Sequence, residues 1–128
     1  MGDVMASFNR VRHGNLAGLF YQKLLAADGR IKTLFANTDF DKQQQLFTHG
    51  LLMLLEYASG KTMGKMAVRR LAESHSREKM AIDPALYSIW IDCLVETVKE
   101  LDKEYVPELE PQWRACLQKG IDVMKAAY

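Results

Sequence analysis

The chain has 128 residues, with 48% apolar side chains and 17 basic against 16 acidic ones. That length allows one hydrophobic core rather than two, the composition excludes a disordered chain, and the balance of charge excludes a field-driven affinity for nucleic acid. The longest apolar run, around Leu51 to Leu55, falls far below the roughly 18 residues of a membrane span, so no membrane partner is expected.

No basic start followed by an apolar stretch opens the chain, which points to the cytoplasm. Cys93 and Cys116 lie apart without C-x-x-C spacing, as suits reduced core thiols better than a disulfide or a zinc site. Val/Ile/Thr alternation is absent and only three prolines occur, at 84, 107 and 111, so the pattern is helical throughout and the fold class is all-α.

A short N-terminal segment or helix over residues 1–14 ends at His13-Gly14 and precedes a domain over residues 15–128. The first run of that domain starts at Asn15, carries Leu16, Leu19/Phe20, Leu24 and Ala27 at three-to-four spacing, and stops at Asp28-Gly29. A short turn of helix, Arg30 to Phe35, follows. The stretch "ANTDFDKQQQLFTHGLLMLLEYASG" predicts a long amphipathic helix capped by Thr38 or Asp39, with Phe40, Phe47, Leu51, Leu54/Leu55 and Ala58 inward and Ser59-Gly60 as its stop.

From Lys61 to His75 the stripe Met63, Met66/Ala67, Leu71 and His75 keeps the helical period, which turns His75 toward the core. Asp83 and Pro84 then open a helix whose inner face reads Leu86/Tyr87, Trp90, Cys93/Leu94, Thr97/Val98 and Leu101. The last helix starts at Glu108 or Pro111, runs to Lys125 and carries Trp113, Cys116/Leu117, Ile121 and Met124.

An inward histidine is by default a core residue whose ring nitrogens find backbone or carboxylate partners. A protein-only zinc site needs three or four ligands, and neither His13 nor His49 stands in metal-binding spacing with His75. Haem needs one protein ligand, because the porphyrin supplies the other four nitrogens, together with a large apolar slot. A phosphotransfer helix bundle is the cofactor-free alternative; such a histidine is exposed and followed shortly by glycine, whereas Ser76-Arg77-Glu78-Lys79 follows here.

The order "FYQKLLAADGRIKTLF", "TDFDKQQQLF", "LAESHS", "DPALYSIW" and a tryptophan-bearing last helix resembles a bacterial single-domain globin related to the globin part of haem-based sensors, over residues 15–124. The resemblance implies helices crossed around a haem pocket, with the N-terminal helix shortened or absent, and haem b (iron protoporphyrin IX) as cofactor. It makes His75 the iron ligand, its other ring nitrogen donating to a carbonyl near Leu71 or to the Ser74 region. Phe35 becomes the phenylalanine wedged against the haem, Tyr21 and Gln43 the distal pair, and Phe47 the apolar residue over the ring. Leu71, Tyr87, Trp90 and Leu94 complete the lining.

The register of Gln43 rests on Phe47 lying four residues on; a slip of one would promote Lys42 or Gln44. Six residues past Gln43, His49 lies about 240° round the helix and belongs to the surface. The family resemblance implies dioxygen, nitric oxide and carbon monoxide as ligands, in gas binding, transport, nitric oxide handling or sensing. Turnover would need an external reductase, and association as a homodimer would use the last two helices.

Overall fold

The computed structural model describes residues 2–77 and 79–128, which form seven helices and no strand among the described residues. They are α1 (Gly2–Val11), α2 (Leu16–Ala27), α3 (Gly29–Leu34), α4 (Phe40–Ala58), α5 (Thr62–Ser74), α6 (Leu86–Leu101) and α7 (Leu109–Ala126). The N-terminal segment is thus a helix of ten residues, whose face Val4, Ser7, Phe8 and Val11 is buried.

The boundaries follow local chemistry. Asp28 ends α2 in an extended conformation and caps α3 by accepting from the Arg30 amide. Asp39 does the same for α4, accepting from the amides of Asp41 and Lys42. Each carboxylate answers amides that the first helical turn leaves without a partner. Asp83 accepts from the Ala85 amide at 3.0 Å, but Pro84 and Ala85 form a turn first, so α6 begins at Leu86, two residues later than its proline suggests.

α4 packs on α2, α5 and α7, while α6 packs on α1, α2 and α7. Gly60 allows the tight turn between α4 and α5 with φ of 87°. Gly64 brings the first turn of α5 directly onto the backbone of Glu56 and Tyr57, where a Cβ would collide with main-chain atoms. This close approach corrects the expected inner stripe of α5. Gly64, Val68 and Ala72 are buried, whereas Met63 and Met66 are 73% and 51% exposed. Small residues, which carry little weight in a hydrophobic pattern, seat the helix because they let two backbones meet.

A polar cluster fixes α1 at the opposite end. Asp102, just past α6, accepts from Ser7 Oγ at 2.6 Å and from Arg10 through two bonds at 2.7 and 2.8 Å. Trp113 Nε1 donates to the same Ser7 Oγ at 3.1 Å, so three helices share one network. Its charged acceptor is stabilised by the guanidinium first and by Ser7 and the Glu104 amide besides, against the cost of burial, which holds the Asp102 carboxyl down at about 2.

Two predictions follow from these contacts. Gly64→Ala is expected to destabilise the fold by roughly 1–3 kcal/mol, the range for overpacking against atoms that cannot yield. Gly120→Ala should cost less, because the added methyl meets only the end of the Leu54 side chain; equal urea midpoint shifts would show that α5 is not seated this way. Asp102 contributes stability that is present above its unfolded value near 3.8 and lost as pH falls toward 2. That contribution is roughly 2 kcal/mol at neutral pH, so Asp102→Asn should be less stable to urea than wild type at pH 7 and should lose less stability than wild type between pH 5 and 3.

Candidate haem site

α2, α4 and α6 bring an aromatic cluster together. Phe47 of α4 stacks on Phe20 of α2, with ring centroids 4.4 Å apart and planes 14° apart. Trp90 of α6 meets both edge-on, at 5.6 Å from Phe20 and 6.2 Å from Phe47. Tyr21 packs edge-on against Phe35, Phe40 and Phe47, each at 5.6 Å. Such ring pairs each contribute about 0.5–1.5 kcal/mol beyond the area they bury, so the wall is apolar and stiff.

Inside this wall is one polar pair. Gln43 Nε2 donates to Tyr21 Oη at 3.0 Å. The phenol oxygen is thereby occupied as an acceptor, and its own hydrogen is the one left to donate elsewhere. Accepting one bond polarises the hydroxyl and makes it a stronger donor. Burial pushes the Tyr21 phenol up to about 12, with the Gln43 bond opposing it, so the hydroxyl keeps its proton across the physiological range. Of the three successive glutamines, Gln43 is the one that bonds Tyr21.

His75 sits at the C-cap of α5, partly buried. Its Nδ1 lies 2.8 Å from the Leu71 carbonyl and 3.1 Å from Ser74 Oγ, while Ser74 Oγ itself donates to the Leu71 carbonyl at 3.0 Å. A carbonyl only accepts, so Nδ1 carries the hydrogen and the lone pair resides on Nε2. Burial lowers the imidazole below its ordinary value near 6.5, only partly offset by the Leu71 bond, and so favours the neutral ring that a metal requires. Beyond it the chain folds back, with the Met80 and Ala81 amides on the carbonyls of Ser74 and Ser76 and the Ile82 amide on that of His75. Ala81 takes φ of 53° to close this loop.

The remaining expected positions divide by depth. Leu94 and Tyr87 are buried on α6, and Leu71 and Phe35 are partly buried against the core. Burial, with Tyr128 nearby, pushes the Tyr87 phenol up to about 12. His13 and His49 are exposed, and no cluster of three or more metal-ligating side chains occurs among the described residues, so a protein-only metal site is not formed there. Cys93 and Cys116 are both buried and outside any disulfide; Cys116 thus faces the core rather than a surface between subunits.

A family model, Globin, matches residues 18–124. The chain belongs to the globin family. This globin is similar to a protein of known crystal structure from Pseudomonas aeruginosa, described as structurally highly homologous to a human haemoglobin, with 36% identity and a TM-score of 0.91. The alignment covers 98% of this chain and 95% of that one. No curated protein matches significantly in sequence. The crossed-helix architecture expected from the sequence is therefore the fold observed, and no helix among the described residues is long and apolar enough to cross a membrane.

The sequence pattern missed the part played by Phe20 and Phe40. Phe20 precedes Tyr21, so the two project about 100° apart on the helix, and nothing in their spacing shows that both turn toward α4. The available signal was the density of aromatics on α2 to α4, which periodicity treats as ordinary core. For the globin without cofactor, two-dimensional 15N NMR is expected to show His75 as the Nδ1–H tautomer, protonating only below the ordinary imidazole range. A ring protonated on Nε2 at neutral pH would contradict the geometry.

Proposed function

We propose that this globin binds haem b through His75 and reversibly takes dioxygen and other diatomic gases at the opposite face, beside Tyr21 and Gln43. One observation carries the reading: Nδ1 of His75 is committed to the Leu71 carbonyl, which leaves the Nε2 lone pair for iron. The donor fits the group, since haem asks the protein for one neutral imidazole and His75 offers its Nε2 lone pair. When bound, haem supplies an iron with one position open to a diatomic ligand.

The protein's share of the chemistry is positional. The Leu71 carbonyl orients the imidazole and, by accepting its hydrogen, raises the basicity of the other nitrogen. On the distal side the Tyr21 hydroxyl, already accepting from Gln43, offers its hydrogen to negative charge on a ligand. Phe35, Phe47 and Trp90, with Leu71, Tyr87 and Leu94, supply lining that excludes water and strengthens that bond.

Dioxygen draws more electron density from ferrous iron than carbon monoxide does, so a protonated phenol favours dioxygen. Hydrogen bonds to charged groups contribute about 1.5–3 kcal/mol. The same pocket serves storage, sensing through a partner, or nitric oxide oxidation fed by an external reductase. Nothing favours the phosphotransfer alternative, because His75 is partly buried and its Nδ1 is already bonded.

The visible spectrum tests the ligand. Wild type is expected to take up one haem and show a Soret band that shifts when carbon monoxide is added to the reduced form; His75→Ala should lose the histidine-ligated spectrum. Folded wild type that takes up no stoichiometric haem would end this reading. Tyr21→Phe tests the distal assignment: dioxygen should escape roughly 10 to 150 times faster, with a much smaller change for carbon monoxide. An unchanged ratio of the two affinities would remove Tyr21 from its role.

A further inference from the structure

Charge is distributed unevenly over this chain. Residues 61–79 hold six basic side chains against two acidic ones, leaving the rest with eleven basic against fourteen acidic. Three of those basic side chains against one acidic one lie on α5, the helix capped by His75. Lys65, Arg69 and Arg70 are exposed on α5 and have no acidic partner among the described residues. Met66, 51% exposed, sits between them on the outward face, opposite Gly64, Val68 and Ala72.

At the end of that face is a depression of about 390 Å³ lined by Arg70, Glu73, Ser74, Lys79 and Met80, with Met80 52% exposed. Unpaired cations around exposed, adaptable methionines, beside a concave spot, are the ingredients of a protein-docking surface rather than of a solvated face alone. The inward side of α5 is already packed on α4 and α7, so this helix has no apolar face to lay into a bilayer. No aromatic residue of α5 is available to stack a base.

We propose that the outward face of α5, with Lys79 and Met80 beside its end, docks an acidic partner protein of the one-electron-donor class, an inference that rests on the haem reading above. Arg70 stands five residues before His75, about 7.5 Å along the helix axis, so a partner seated there approaches the iron from the side of its protein ligand. The transfer is a single electron, lost by the donor and gained by ferric iron, with no bond made or broken.

The experiment uses flavodoxin, a small acidic flavoprotein, as the probe. Binding of its oxidised form is measured by calorimetry at low and high ionic strength, and reduction of the ferric haem protein by its fully reduced form is followed by stopped flow. Wild type is compared with Lys65→Glu/Arg69→Glu/Arg70→Glu and with Lys32→Glu/Lys103→Glu/Lys125→Glu, which makes the same change in net charge elsewhere. The proposal expects binding and reduction at low salt to weaken about tenfold or more in the α5 variant and less than about threefold in the control, with the difference shrinking as salt rises.

Equal losses in both variants, or no binding of flavodoxin to wild type at low salt, would overturn it. So would preferential retention of wild type by anionic phosphatidylserine vesicles or by DNA, lost in the α5 variant. Dithionite should reduce all three proteins alike, which shows that the variants fold and hold haem. Absence of haem uptake would strike the functional reading alone, because calorimetry on the haem-free chain reads the docking surface independently.

Discussion

The hydrogen bond from His75 Nδ1 to the Leu71 carbonyl, 2.8 Å long, is the constraint on which the site depends, because it decides which ring nitrogen keeps its lone pair. It exists only because α5 is still helical at Leu71 and stops at Ser74, so that the ring can turn back by one turn. The helix in turn lies where it does because Gly64 lets its first turn sit against the backbone of Glu56 and Tyr57. A backbone contact about ten residues before the histidine thereby sets the line along which the imidazole is delivered.

The distal side is organised by a different principle. Its two polar groups, Tyr21 and Gln43, are 22 residues apart in sequence, and the rings of Phe35 and Phe47 pack edge-on against the phenol. A phenol that accepts from an amide has lost the freedom to turn its hydrogen toward that amide. On the proposed function, the directional preference that gas discrimination would need is therefore present before any ligand arrives. The rings that fix the geometry also keep water away, which is what allows a hydrogen bond of ordinary length to matter.

Legibility in the sequence followed the range of the interactions. The break at Asp28, the cap at Asp39 and the stop at Gly60 are local and readable from residue type, whereas the cap that Asp28 supplies to α3 is not. His75 is legible as inward only as the end of a four-position stripe, and its side chain is partly buried. The stripe through Met63 and Met66 misled, since hydrophobic character does not report which side of a helix touches a neighbour; Gly64 and Ala72 do the seating with almost no side chain. The cluster of Ser7, Arg10, Asp102 and Trp113 was invisible, because its members are brought together over about a hundred residues and none belongs to a local motif.

A cofactor pocket of the kind proposed would remove packing from the middle of a domain, and a core of this size has little to spare, so that cluster bears on how the fold could hold one. Here the first and last helices are tied by a buried carboxylate at the end of α6, away from the aromatic wall, with both of its oxygens bonded. A buried charge is costly unless every lone pair is answered, and once answered it tolerates few alternative arrangements. That tie joins α1, α6 and α7, while α5 packs separately on α4 and α7. His75, the proposed iron ligand, thus rides on a helix seated by close backbone packing at Gly64 rather than by this cluster.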